Sequence, residues 1–173
     1  MPNLSTAQIG RCGELLVQFE LLKRGIESAP LTTDKGLDLV AYATGLEKPV
    51  TIQVKTNLKP KPGGGKGKLA LDWWIPKSSP ADLVALAELE TKRVWIFTIQ
   101  ELCDLAQQQP EDSLHMIMAV DPTTSTRRDG KAVHDHAFAM HLIENCVHRH
   151  FFEADRRRSG GSSTAEAKAS KLP

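Results

Sequence analysis

The chain has 173 residues, of which 40% are hydrophobic and 25% charged, and its formal net charge is +1. This length suffices for one domain with its own core, and the composition is that of a globular protein. No apolar run is long enough to cross a bilayer, and the first residues do not resemble a signal peptide. The 3 cysteines are scattered without disulfide or zinc-ligand spacing, which predicts a protein of the reducing cytoplasm.

The first predicted element is a helix over residues 5–24, with Ser5 or Thr6 as its N-cap and Gly25 at its end. Residues at helical spacing form its main apolar stripe: Ile9, Cys12, Leu16 and Phe19. Glu14 shares a second stripe with Gly10, Val17 and Leu21, which places it at the edge of a buried face. We therefore expect the Glu14 carboxylate near the interior rather than on the solvated side of the helix.

Strands follow over residues 26–30, 37–43 and 50–56, the last two forming a hairpin through a polar turn. Side chains alternate along a strand, so Gln53 and Lys55 share one face of the last strand. Four apolar residues of the hairpin are expected in the core: Leu37, Leu39, Ile52 and Val54.

The same patterns assign the rest of the chain. The predicted elements are a mobile loop at 57–67, a strand at 69–75, two further strands of the same sheet at 81–89 and 93–99, a helix at 101–109, a strand at 115–120 and a last helix at 137–152. A domain over residues 1–155 would then precede a basic, low-complexity tail at 156–173, whose poverty in apolar residues predicts disorder.

The hairpin carries polar groups that a core would not favour. Asp38 stands on its first strand, and Gln53 and Lys55 stand on its second. Burying a carboxylate, an amide and an ammonium together is costly. The same three groups are well suited to holding a divalent cation against a phosphate, because hard cations prefer oxygen ligands.

A helical Gly13-Glu14, a strand with Gly-Leu-Asp38 and a strand with Ile-Gln53-Val-Lys55 follow one another in this order. This arrangement resembles the PD-(D/E)xK nuclease superfamily and covers mainly residues 5–100. The resemblance implies an α/β, restriction-endonuclease-like fold, with a mixed central sheet flanked by helices. It also implies a Mg²⁺-dependent endonuclease, with Mn²⁺ as an alternative, in which Asp38 and Glu14 hold the metal. Gln53 and the Val54 carbonyl would be neutral ligands, and Lys55 the catalytic lysine.

This chain departs from the superfamily signature at two points. Gln53 replaces the motif acid and removes one negative charge, which favours a one-metal site, and no proline precedes Asp38. Two other readings therefore stay open. One is a nucleic-acid-binding module that keeps the fold without turnover, and the other is a structural partner in a larger assembly. Each polar residue alone is more often a solvated side chain than part of a site.

Basic residues follow the hairpin directly. Beyond Lys55, four lysines lie on a glycine-rich loop that contains no acid: Lys59, Lys61, Lys66 and Lys68. Such a loop suits contact with a DNA backbone, independent of sequence. A homodimer is a further expectation, because cutting both strands commonly needs two active sites. Trp73 and Trp74 are read mainly as sheet residues, and His134, His136 and His141 mainly as loop and surface residues rather than a zinc site.

Overall fold

The computed structural model describes residues 3–32, 36–44, 46 and 48–152. The predicted tail at 156–173 lies outside these residues. None of the helices in the described part of the chain combines the length and apolar character needed to span a membrane.

Three helices and ten strands make up the described chain. In chain order they are α1 (Thr6–Leu22), β1 (Glu27–Pro30), β2 (Leu39–Tyr42), β3 (Val50–Asn57), β4 (Lys61–Pro62), β5 (Leu69–Pro76), β6 (Leu83–Glu88), β7 (Arg93–Phe97), α2 (Ile99–Leu105), β8 (Ser113–Ala119), β9 (Arg127–Arg128), β10 (Lys131–Ala132) and α3 (Ile143–Phe151). Short 3₁₀ segments occupy Gly63–Gly65 and Asp135–His141.

The central sheet has the strand order β1-β2-β3-β6-β7. Its strands pair antiparallel except β3 and β6, which run parallel, so the sheet is mixed. The hairpin of β2 and β3 pairs Leu39 with Ile52, and the next step of this register sets Asp38 opposite Gln53. The predicted hairpin, and the placement of β6 and β7 in the same sheet, are confirmed.

Hydrophobic cores lie on both faces of the central sheet. Ala85 and Ala87 of β6 pack toward α1, whereas Val84 and Leu86 pack toward a second sheet of order β4-β5-β8. The predicted strand at 69–75 is thus real but belongs to this second sheet. The Asn57 side chain joins the two sheets, since its Nδ2 donates to the Asp72 carbonyl at 2.6 Å.

Helix α1 buries the second of its two predicted stripes rather than the main one. A capping box starts it, because the Ser5 hydroxyl accepts from the Gln8 N–H at 3.3 Å and the Gln8 side chain accepts from the Ser5 N–H at 2.8 Å. Its buried residues are Gly13, Val17 and Leu21, while Phe19 of the predicted main stripe is 57% exposed. The small Gly13 allows the helix to approach β3 closely, and this contact selects the buried face.

Four further expectations differ in detail. Leu39 and Ile52 are fully buried as predicted, but Leu37 and Val54 are only half-buried. The loop at 57–67 contains β4 and a 3₁₀ turn. Helix α2 begins and ends earlier than predicted, at Ile99–Leu105, because Thr98 caps it. The last helix starts only at Ile143, because Leu142 is extended (φ −56°, ψ 139°) and bridges to Trp95.

Candidate functional site

Asp38 is held in place by its own backbone and by its carboxylate. Its N–H donates to the Ile52 carbonyl at 3.0 Å, and its carbonyl accepts from the Leu31 N–H at 2.8 Å. Its Oδ2 accepts from the Val54 N–H at 2.6 Å. One carboxylate oxygen is therefore anchored on β3, which fixes the orientation of the side chain relative to that strand.

The Gln53 side chain is 4% exposed. Its Oε1 is fully buried and has no hydrogen-bond partner among the described residues. An unpartnered buried acceptor is costly, so such an atom in a native protein calls for a water, a ligand or an ion. Gly36 makes room for this amide, since a Cβ there would lie 2.9 Å from Gln53 Nε2 and the φ of Gly36 is +71°.

Asp38, Gln53, Val54 and Lys55 line one open depression of about 420 Å³, together with Leu31, Thr32, Gly36 and Leu37. The register of the hairpin explains this grouping, because Asp38 stands opposite Gln53 and Lys55 follows Gln53 by two residues. The structure brings Asp38, Gln53 and Lys55 to the lining of one depression, and their role as a site stays a prediction. Glu14 is not part of this lining.

Glu14 nevertheless acts on the site through its charge. Burial raises the pKa of the Asp38 carboxyl above its ordinary value, and the nearby Glu14 carboxylate raises it further. The Val54 N–H and the Lys55 ammonium oppose this rise in pKa. Glu14 itself pairs with Arg11 at 2.6 Å. The site thus holds a carboxylate that is partly desolvated and repelled by a second one.

These features fit a divalent cation. A cation beside Asp38 would relieve both the desolvation of its carboxylate and the repulsion from Glu14. It would also give the orphan Gln53 Oε1 a partner. The donors are all oxygens, which is the set that Mg²⁺ and Mn²⁺ prefer and soft metals do not.

The four lysines of the predicted basic loop are all exposed: Lys59, Lys61, Lys66 and Lys68. Two of them, Lys61 and Lys68, line a larger groove on the second sheet, away from the Asp38 depression.

Sequence reasoning missed Gly36 as a site residue. The signal was the glycine that precedes the Leu-Asp38 pair, but its positive φ and its contact with Gln53 depend on the fold.

A separate cluster joins His134, Asp135 and His136, whose ligand atoms lie within 4.8 Å of one another. The Asp135 carboxylate, however, already pairs with Arg93 at 2.6 Å. Burial of the Asp135 carboxyl raises its pKa, but the Arg93 guanidinium lowers it. The pKa of Asp135 therefore lies below its ordinary value. This cluster therefore offers a cation two imidazoles and an acid that is already paired with Arg93.

No protein-family model and no curated protein matches the chain. Several solved structures resemble it, among them the following two. A bacterial homing endonuclease, I-Ssp6803I, aligns with a TM-score of 0.58 and 15% identity, over 91% of this chain and 99% of that one. Hjc, a Holliday junction resolvase of the archaeal hyperthermophile Archaeoglobus fulgidus, aligns with a TM-score of 0.48 and 15% identity, over 83% and 97%. At this identity the likeness to the first shows the fold, and the predicted fold class is confirmed.

Proposed function

We propose that the chain is a metal-dependent endonuclease that hydrolyses phosphodiester bonds in DNA. The observation that carries the proposal is the meeting of Asp38, Gln53 and Lys55 in one open depression. The nuclease fold of the structure that aligns at a TM-score of 0.58 supports it. The exposed lysines after β3 support DNA as the substrate, because a cationic surface segment attracts phosphates without regard to sequence.

Asp38 and Glu14 would hold Mg²⁺ or Mn²⁺, with the Gln53 amide oxygen and the Val54 carbonyl as neutral ligands. When bound, the cation supplies Lewis acidity and a water made nucleophilic near neutral pH. Asp38 keeps its carboxylate oriented through the Val54 N–H. Lys55 directs its ammonium to the attacking water or the phosphate, where it stabilises the negative charge that grows in the transition state.

The test is a cleavage assay on supercoiled plasmid with Mg²⁺, Mn²⁺ or EDTA. The protein should nick or cut DNA only with metal. Asp38→Asn preserves the acceptor for the Val54 N–H, and Lys55→Ala removes the ammonium, so each should slow cleavage by at least about 10²-fold. Lys48→Ala, which removes an exposed lysine of the β2–β3 turn, is the matched control and should cleave at the normal rate. Undiminished cleavage in both site variants would remove this depression as the active site.

A second candidate is a DNA-binding module that has lost turnover, and Gln53 is the residue that favours it. It leaves the strand position beside Asp38 without the negative charge that the motif acid would give. Calorimetry with Mg²⁺ separates the two functions. A nuclease should take up metal in a manner that depends on Asp38 and Glu14, whereas a pure binding module should retain DNA on a column and take up none.

The homodimer stays a prediction, and light scattering on the purified protein with and without DNA tests it. A monomer that still linearises plasmid in a single binding event would contradict it. The cytoplasmic location also stays a prediction.

A further inference from the structure

A second concave surface lies on the outer face of the small sheet. This outer groove has a volume of about 810 Å³ and is floored by residues of β5 and β8, among them Ala70, Ile117 and Ala119. The opposite face of the same sheet carries Leu71, Trp73 and Ile75 and is buried against the central sheet. The groove therefore faces solvent and takes no part in the core.

Basic residues stand on both sides of this floor. Lys61 lies on β4 at one edge of the sheet. Arg127 and Arg128 lie on β9, whose hairpin is tied to the other edge because the Ala119 N–H donates to the Val133 carbonyl at 2.7 Å. Among the described residues, Lys61 and Arg127 form no ion pair, and Arg128 lies 3.9 Å from the exposed Asp129.

The remaining charges of the groove do not cancel these cations. Lys68 also lines it and donates to the Thr123 carbonyl, so its ammonium lies between the two walls. Asp72 is the acid in the lining, and its carboxylate lies 3.4 Å from His115 Nε2. The groove is thus cationic at the walls and apolar along much of its floor.

An exposed aromatic ring extends the floor. Trp74 follows Asp72 by two residues on the same face of β5 and is 50% exposed. It stacks on His115, with ring centroids 4.0 Å apart and planes inclined by 11°. Because His115 lines the groove, the Trp74 ring continues the groove surface. One face of that ring rests on His115, and the exposure leaves aromatic surface for a ligand.

We infer that the outer groove binds a single strand of DNA, with phosphates against the two basic walls and a base stacked on Trp74. A duplex presents phosphates on its outside and keeps its base faces stacked within, so it has little to offer an apolar floor. A single strand offers both, and basic grooves with exposed aromatic rings are how proteins bind it without sequence preference. This rests on the proposed nuclease function and narrows its substrate to DNA with an unpaired strand beside the duplex.

The binding test uses a 16-nucleotide oligo(dT) and the intact chain in EDTA, where no cleavage occurs. Trp73 and Trp95 are 3% and 1% exposed, so stacking should quench the fluorescence of Trp74 among the 3 tryptophans of the chain. Trp74→Ala should weaken binding roughly 5- to 150-fold, which corresponds to the usual worth of one base–aromatic stack.

A charge comparison tests the walls. Arg127→Ala with Arg128→Ala should weaken oligo(dT) binding at least about tenfold and reduce the salt slope by about 1.4, as expected for two lost phosphate contacts. Lys23→Ala with Lys48→Ala lowers the net charge equally but alters exposed lysines outside the groove, so its affinity should change less than about threefold. Equal losses in the two double variants, or no quenching of Trp74, would overturn the inference.

Two further outcomes separate this inference from the proposed function. If a blunt duplex loses as much affinity as oligo(dT) in the arginine variant and Trp74 is not quenched, the groove holds a duplex backbone and the single-strand assignment is wrong. If oligo(dT) binds as expected but no DNA is ever cleaved with metal, the groove stands and the nuclease proposal fails.

Discussion

The contact between α1 and β3 provides a sharp test of how the site is assembled. A Cβ at Gly13 would lie 1.8 Å from Oγ1 of Thr56, 2.7 Å from its Cγ2 and 2.8 Å from its Cβ. Rotating the threonine cannot clear all three contacts, because its Cβ is fixed to the strand. Gly13→Ala must therefore push the helix away from β3. The shift is about 1.2 Å if Thr56 keeps its rotamer, and about 0.2 Å if it rotates and only its Cβ still limits the 3.0 Å approach that real Cβ atoms require.

The magnitude follows from two opposing effects. Alanine is favoured over glycine inside a helix by about 1 kcal/mol. Overpacking of a tight contact costs about 1–3 kcal/mol or more, and the shift also loosens the buried Val17 and Leu21. We expect the free energy of unfolding to fall by roughly 2 kcal/mol. Because Glu14 is the next residue, the shift should also slow DNA cleavage.

Gly10→Ala on the same helix is the matched control. Nothing lies within 4 Å of its Cβ, so the substitution should raise the free energy of unfolding by about 0.5–1 kcal/mol. Thr56→Ala in the Gly13→Ala background removes two of the three short contacts and should recover at least about 1 kcal/mol. Urea unfolding measures all three. If Gly13→Ala proves as stable as Gly10→Ala, the close helix–strand contact is wrong.

Three other predictions concern the site and the surrounding fold. Gln53→Glu adds a carboxylate beside Asp38 and should tighten Mg²⁺ binding about tenfold, as measured by calorimetry. An unchanged Mg²⁺ affinity would contradict the proposed metal site. Burial lowers the pKa of His150 to about 4 from 6.5, so the folded protein takes up fewer protons than the unfolded chain as pH falls. Its free energy of unfolding should therefore drop by roughly 1–3 kcal/mol from pH 6.5 to pH 4, and His150→Gln should flatten that dependence. The buried Glu88 carboxylate accepts the N–H groups of Glu90 at 2.7 Å and Thr91 at 3.0 Å, so Glu88→Ala should destabilise the protein by roughly 2–4 kcal/mol. The exposed Glu90→Ala should stay within about 0.5 kcal/mol of the parent protein in the same urea experiment.

The Asp38 depression could be predicted from the chain because the interactions that form it are local. A polar turn joins β2 to β3, and side-chain alternation then puts Gln53 and Lys55 on one face. The antiparallel register brings Asp38 opposite Gln53 within a separation of 15 residues along the chain. It could equally be predicted that β6 and β7 are strands, since both are continuous apolar runs.

The two apolar stripes of α1 were both predicted but ranked in the wrong order, because hydrophobicity favoured the one that contains Phe19. Gly13 decided between them, through a contact with Thr56 that lies 43 positions further along the chain. The outer groove was hidden for the same reason. It needs β4, β5 and β8 to pair and the Arg127–Arg128 hairpin to stand beside them. Periodicity predicts which residues share a face of one element. Pairing between distant elements depends on packing, which short-range sequence patterns do not report.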